Sequence, residues 1–162
     1  MKLHALPADG SVFDLEHLGF DACERGLLAV ARYFFWVRRA PERQSWHMAF
    51  CVAVERWGPE NGLPAAFALS KLVRAMVEVR GDFDSRDPFD VEARRCATYD
   101  EAMMMRMLHH MRRDQTPDAR DAVEVLTCGL MDPHVIRAAL AVAARFGCGG
   151  PVRRRPVLRV VS

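Results

Sequence analysis

Lysine is almost missing from this chain: Lys2 and Lys71 are the only two, and arginine carries the rest of the positive charge. Such a bias is what a GC-rich genome produces, and it supplies side chains that grip phosphate and carboxylate in a bidentate way lysine cannot. Closely paired cysteines are missing too. Cys23, Cys51, Cys96, Cys128 and Cys148 are odd in number and spread along the chain, none at the spacing of a metal knuckle or a redox pair. Reduced, mostly buried thiols are therefore expected. No apolar run approaches the roughly 20 residues that a membrane helix needs; the longest, 27–37, is interrupted by Arg32. The opening Met-Lys-Leu-His-Ala-Leu-Pro reaches Asp9 without the apolar core or cleavage site of a secretory signal. The expectation is a cytoplasmic protein with no membrane partner.

Catalytic signatures are equally scarce. The chain has no Gly-x-Ser-x-Gly elbow, Walker loop or dinucleotide glycine fingerprint. A ferritin-like di-iron bundle needs Glu-x-x-His pairs, and none occurs. The acidic stretch Gly-Asp-Phe-Asp-Ser-Arg-Asp-Pro-Phe-Asp (81–90) fails as a calcium loop, because counting from Asp82 puts Arg86 at position five and Ala93 at position twelve. It reads as a solvated loop with a proline-assisted helix start. A cysteine-histidine dyad of Cys128 with His134 spans one inter-helix turn, but packing explains both residues better. No catalytic residue, metal or cofactor is assigned from the sequence, and a non-enzymatic protein is expected.

What the chain does have is material for one domain: 162 residues, 51% hydrophobic and 27% charged, with a formal charge of only +2. Helix punctuation is frequent. Asp21 with Glu24, and Thr98 with Glu101, have capping-box spacing, in which an N-cap oxygen and an N3 carboxylate each satisfy an orphan amide donor. Pro41, Pro88, Pro117 and Pro133 stand where first turns would take them, and Gly58, Gly81, Gly129 and Gly147 where helices would stop. These marks predict helices over 22–39, 42–57, 64–79, 88–96, 99–113, 117–128 and 133–146. The first twenty residues read as irregular. Strand-like alternation is confined to Pro-Val-Leu-Arg-Val-Val near the end, so the expected fold is all-α: a compact bundle of six to seven helices over 1–148, followed by an extended basic tail over 149–162.

Two stretches raise functional questions. Residues 103–111 hold five methionines and two histidines. Met104, Met107, Leu108 and Met111 share one helix face, which is a core pattern. A copper(I) reading would pair Met105 with His109, or Met107 with His110 or Met111, and adjacent histidines on a helix diverge too far to serve one ion together.

The second stretch is 119–162. Residues 119–146 have the outline of a helix-turn-helix with Leu130, Val135 and Ala138 at its apolar positions, although Glu124 is wrong for the pattern and only His134, Arg137 and Arg145 could reach base edges. From 133 to 162 there are six arginines and no acid, whereas 82–101 has seven acids against three arginines. The expected contact residues are therefore His134, Arg137, Arg145 and the tail's Arg153, Arg154, Arg155 and Arg159. The leading expectation is an interaction module that binds a protein partner. A DNA-binding factor is the alternative, a metal-binding Met/His helix comes third, and self-association would follow if Phe34, Phe35, Trp36, Trp46 and Trp57 lay exposed.

Overall fold

A computed structural model describes residues 10–148. It is mostly helical, with α1 at Ala22–Trp36, α2 at Ser45–Arg80, α3 at Tyr99–Arg112, α4 at Thr116–Leu126 and α5 at Pro133–Arg145. A small antiparallel ladder joins β1 (Val12–Asp14) to β2 (Cys96–Thr98), with Phe13 opposite Ala97. Helix α3 lies at the centre: every residue from Asp100 to Leu108 is buried. α4 packs on α3, α5 packs on α2 and α3, and α1 packs on α2. No helix is long and apolar enough to cross a membrane among the described residues.

Both capping boxes form. Asp21 Oδ1 accepts from Glu24 N at 2.8 Å while Glu24 Oε2 accepts from Asp21 N at 2.9 Å. Thr98 and Glu101 do the same for α3. Asp132 caps α5 through two backbone donors, His134 and Val135.

Five helices rather than six or seven are present among the described residues, and each difference has a local cause. α1 stops at Trp36 instead of residue 39, in a run of turns that ends at Ala40. Pro41 opens only a 3-10 turn, Pro41–Arg43, because Gln44 takes a left-handed φ of 48° before α2 begins at Ser45. The segments expected at 42–57 and 64–79 are two arms of α2, broken at Gly58 (φ 74°, ψ 166°). The second arm opens at Pro59 rather than Pro64, since proline's fixed φ suits a first turn immediately after such a break.

The arms meet at Gly62, where an added Cβ would lie 2.4 Å from the Ala53 carbonyl oxygen. Glycine is required there by contact, not by backbone angle.

The helix expected at 88–96 is instead a 3-10 turn, Glu92–Arg95, leading into β2. β1 likewise lies within the segment expected to be irregular. Nor is the acidic loop freely solvated: Phe83 and Ser85 are buried, and Phe83 stacks on Phe35 with ring centroids 4.1 Å apart. Arg39 donates to the Phe83 and Ser85 carbonyls, and Asp84 N donates to Asp100. The expected strand and tail at the C-terminus lie outside the described residues.

Candidate partner-binding face

An ionic network fixes the end of α5 against the rest of the bundle. Glu24, fully buried, receives Arg112 Nη1 and Arg113 Nη1 on Oε1, each at 2.6 Å, and His109 Nδ1 lies 3.1 Å from its other oxygen. Asp21 Oδ2 takes a second bond from each arginine. Arg112 Nε then donates to the Phe146 carbonyl at 2.6 Å, and Cys148 N donates to the Arg112 carbonyl at 3.2 Å. The capping carboxylate of α1 thus anchors the last turn of α3, which in turn holds the exit of α5.

The electrostatics have a definite sign. Burial alone would raise the Glu24 carboxyl, but hydrogen bonds from Arg113, the Asp21 amide and His109 outweigh it and hold its pKa below the ordinary value. The Asp21 balance is similar, with burial opposed by the Glu24 amide and Arg112. A carboxyl with a depressed folded pKa contributes stability above its unfolded pKa and loses that contribution as pH falls through the folded one. Urea titrations of wild type and Glu24→Gln should therefore differ most above about pH 5, and the gap should narrow toward about pH 3. A gap that does not depend on pH would show that the Glu24 charge contributes nothing. In the same network, burial pushes the Cys23 thiol above its usual range, which makes it a poor nucleophile.

Beside this anchor, the described face of α4 and α5 carries an apolar groove of about 230 Å³. Met111, Ala119, Val123, Met131, Ile136 and Leu140 provide its apolar wall, and Arg120 and Asp114 stand at its edge. Leu140 is 50% exposed, and nearby in sequence Leu130 is 69% exposed. Leu130 was expected to be buried in a helix-turn-helix. It lies instead in the turn after α4, where Cys128, Gly129 and Met131 all take positive φ.

His134, Arg137 and Arg145 are exposed on α5, as a contact role requires. Arg137 is one turn before Leu140, so a cation flanks the apolar stripe. Arg153, Arg154, Arg155 and Arg159 lie outside the described residues. Of the five aromatic residues named for self-association, only Trp46 is exposed; Phe35 is buried, and Phe34, Trp36 and Trp57 are half-buried.

The methionine run belongs to the core. Met103, Met104, Met105 and Met107 are fully buried, whereas a single face was expected to be. His109 is held by Glu24, and His110 Nδ1 lies 2.7 Å from Gln115 Oε1. Among the described residues, no group of three histidine, cysteine or carboxylate side chains is arranged to hold a metal ion. Cys51 and Cys128 are exposed and Cys23, Cys96 and Cys148 half-buried, so the expectation of mostly buried thiols is corrected.

The groove residues were missed because core assignment from periodicity stops at the best stripe. Val135, Ala139, Val142 and Ala143 make that stripe on α5. Ile136 and Leu140 fall just outside it, and this offset is a signal the sequence does contain. Comparisons with protein-family models, curated proteins and solved structures find no match to this chain.

Proposed function

We propose that the protein is a non-enzymatic interaction module whose α4–α5 groove takes the apolar face of a partner protein's helix. The observation that carries this reading is the exposure of Leu140 in the wall of an apolar groove, on a helix whose C-terminal exit is held by Arg112. Exposed leucines lose free energy in water that a partner restores on docking. Helix-in-groove recognition needs a preformed apolar channel, and Ile136 and Leu140 place two apolar side chains one turn apart along its wall. Charge narrows the occupant: Arg120 and Asp114 both line the groove and Arg137 flanks it beside Leu140, so the fitting helix carries an acidic side chain on the Arg137 side.

A pull-down from source-cell lysate after nuclease treatment tests the reading, with wild type compared against Leu140→Arg. A partner protein held by wild type at raised salt should be lost with Leu140→Arg. The variant's stability should stay within about 0.5 kcal/mol of wild type, because the position is half exposed. A partner held equally by both proteins would refute the groove.

The second reading, DNA binding through 119–146 and the arginine tail, is favoured by one observation, the joint exposure of His134, Arg137 and Arg145 on α5. It predicts recovery of nucleic acid alone, lost with nuclease or salt.

A further inference from the structure

A cavity of about 700 Å³ lies between α1 and the first arm of α2, with Pro88 and Arg94 completing its lining. That volume falls within the range of small-molecule sites. Four arginines line it, Arg25, Arg32, Arg56 and Arg94, against a single carboxylate, Glu55.

The four arginines are not equivalent. Arg32 forms part of the framework: Nε and Nη2 bond both oxygens of buried Glu101 at 2.8 Å, and the same guanidinium reaches the Ala93 and Cys96 carbonyls. The guanidinium groups of Arg25, Arg56 and Arg94 pair with no described carboxylate or carbonyl. Elsewhere in the fold Arg39, Arg43, Arg74, Arg80, Arg112 and Arg113 each reach an acid. Three unpaired cations against one carboxylate leave an excess of two positive charges around one opening.

Two further details equip the cavity for a ligand. Arg56 lies against α1 at Gly26, where an added Cβ would sit 3.5 Å from Arg56 Nη1, an ordinary contact, and more tightly, 3.1 Å, from the Trp57 ring. Tyr33, only 7% exposed, lines the wall, and its hydroxyl makes no hydrogen bond with any described residue. That oxygen is not sealed from solvent, so the phenol is free to donate to a ligand in the cavity. The rest of the wall is apolar, with Leu15, Leu28, Ala29 and Val52.

We propose that this cavity binds an organic phosphate monoester. A phosphate monoester carries close to two negative charges at neutral pH, which matches the excess, and its oxygens suit several guanidinium forks at once. The apolar wall takes the organic body, and Tyr33 donates a hydrogen bond to an ester or phosphate oxygen. This site is independent of the α4–α5 groove.

Calorimetric titration of the full chain at low salt tests the proposal, with phenyl phosphate, inorganic phosphate and phenol as probes. Phenyl phosphate should bind saturably and at least about tenfold tighter than inorganic phosphate, which lacks the apolar body, while phenol should show no heat of binding. Arg56→Gln and Arg94→Gln should each weaken phenyl phosphate by about tenfold or more, the effect of losing one charge-assisted contact. Both side chains are exposed, so circular dichroism should stay unchanged, and Arg137→Gln on α5 should leave the affinity unaltered. No saturable binding of phenyl phosphate up to roughly 10 mM would overturn the proposal. So would equal affinity for inorganic phosphate, or affinity that survives both cavity substitutions.

Discussion

Replacing Glu101 by alanine is expected to cost about 3–5 kcal/mol of folding stability, the range for removing one partner of a buried ion pair. Glu101 is fully buried and its partner Arg32 is 4% exposed. Everything that approaches the Glu101 carboxylate is a donor. Oε1 receives Arg32 Nε, Ser85 Oγ and the Arg86 amide, and Oε2 receives Arg32 Nη2 and the Thr98 amide. Truncation therefore leaves a buried guanidinium without its counter-charge, held only by the Ala93 and Cys96 carbonyls, strips three further donors of this acceptor, and removes half of the α3 capping box.

Glutamine is not a conservative replacement at this position. Apart from the Ser85 hydroxyl, which can turn to accept, its amide nitrogen would point hydrogens at groups that can only donate, so Glu101→Gln should keep less than half of the lost stability. Urea unfolding of the three proteins decides the matter. A loss below about 1 kcal/mol for Glu101→Ala would mean that water replaces the carboxylate and that the pair is not closed to solvent. Because domains of this kind are held by only about 5–15 kcal/mol, the expected loss is a large share of the whole.

The second large effect is expected at Gly62. Gly62→Ala places a methyl 2.4 Å from the Ala53 carbonyl oxygen, 2.6 Å from the Ala53 carbonyl carbon and 2.7 Å from the Val54 amide nitrogen. All three atoms are backbone, so no rotamer change relieves the clash and the two arms of α2 must separate. The cost should reach about 3 kcal/mol, at the upper end of overpacking, and lower the melting temperature by about 2–4 °C for each kcal/mol.

Gly58→Ala makes an informative comparison. Nothing lies within 4 Å of an added Cβ there, but φ 74° with ψ 166° belongs to a region that only glycine visits cheaply. That substitution should cost about 1–3 kcal/mol from backbone strain alone. If Gly62→Ala were the milder of the two, the arms would not be in the close contact that the structure shows.

The α2 corner also shows where sequence reasoning reaches its limit. A break at Gly58 is legible, because glycine before proline interrupts a helical pattern. Contact between residues 62 and 53 is not, since it depends on the direction in which the second arm folds back. A glycine required by contact and one tolerated by chance look identical in the sequence. The same holds for the two capping boxes. Spacing alone identified Asp21 with Glu24 and Thr98 with Glu101, because a capping box closes within three residues. That the two N3 carboxylates also neutralise Arg112, Arg113 and Arg32 depends on partners 69 or more residues away.

By itself the sequence determined a mostly helical chain, the starts of α1, α3 and α5, the core position of the methionine run and the absence of membrane-spanning helices among the described residues. These follow from interactions within one or two turns: caps, proline at first turns, and apolar residues recurring at three and four. Tertiary structure alone decided that residues 12–14 pair with 96–98, and that the acidic loop is tied down by Arg39 and Asp100. It also placed Ile136 and Leu140 beside an open groove, and gathered Arg25, Arg56 and Arg94 around one cavity. Each of those depends on segments far apart in the chain meeting in space, and loop closure leaves no mark on the local pattern of either segment.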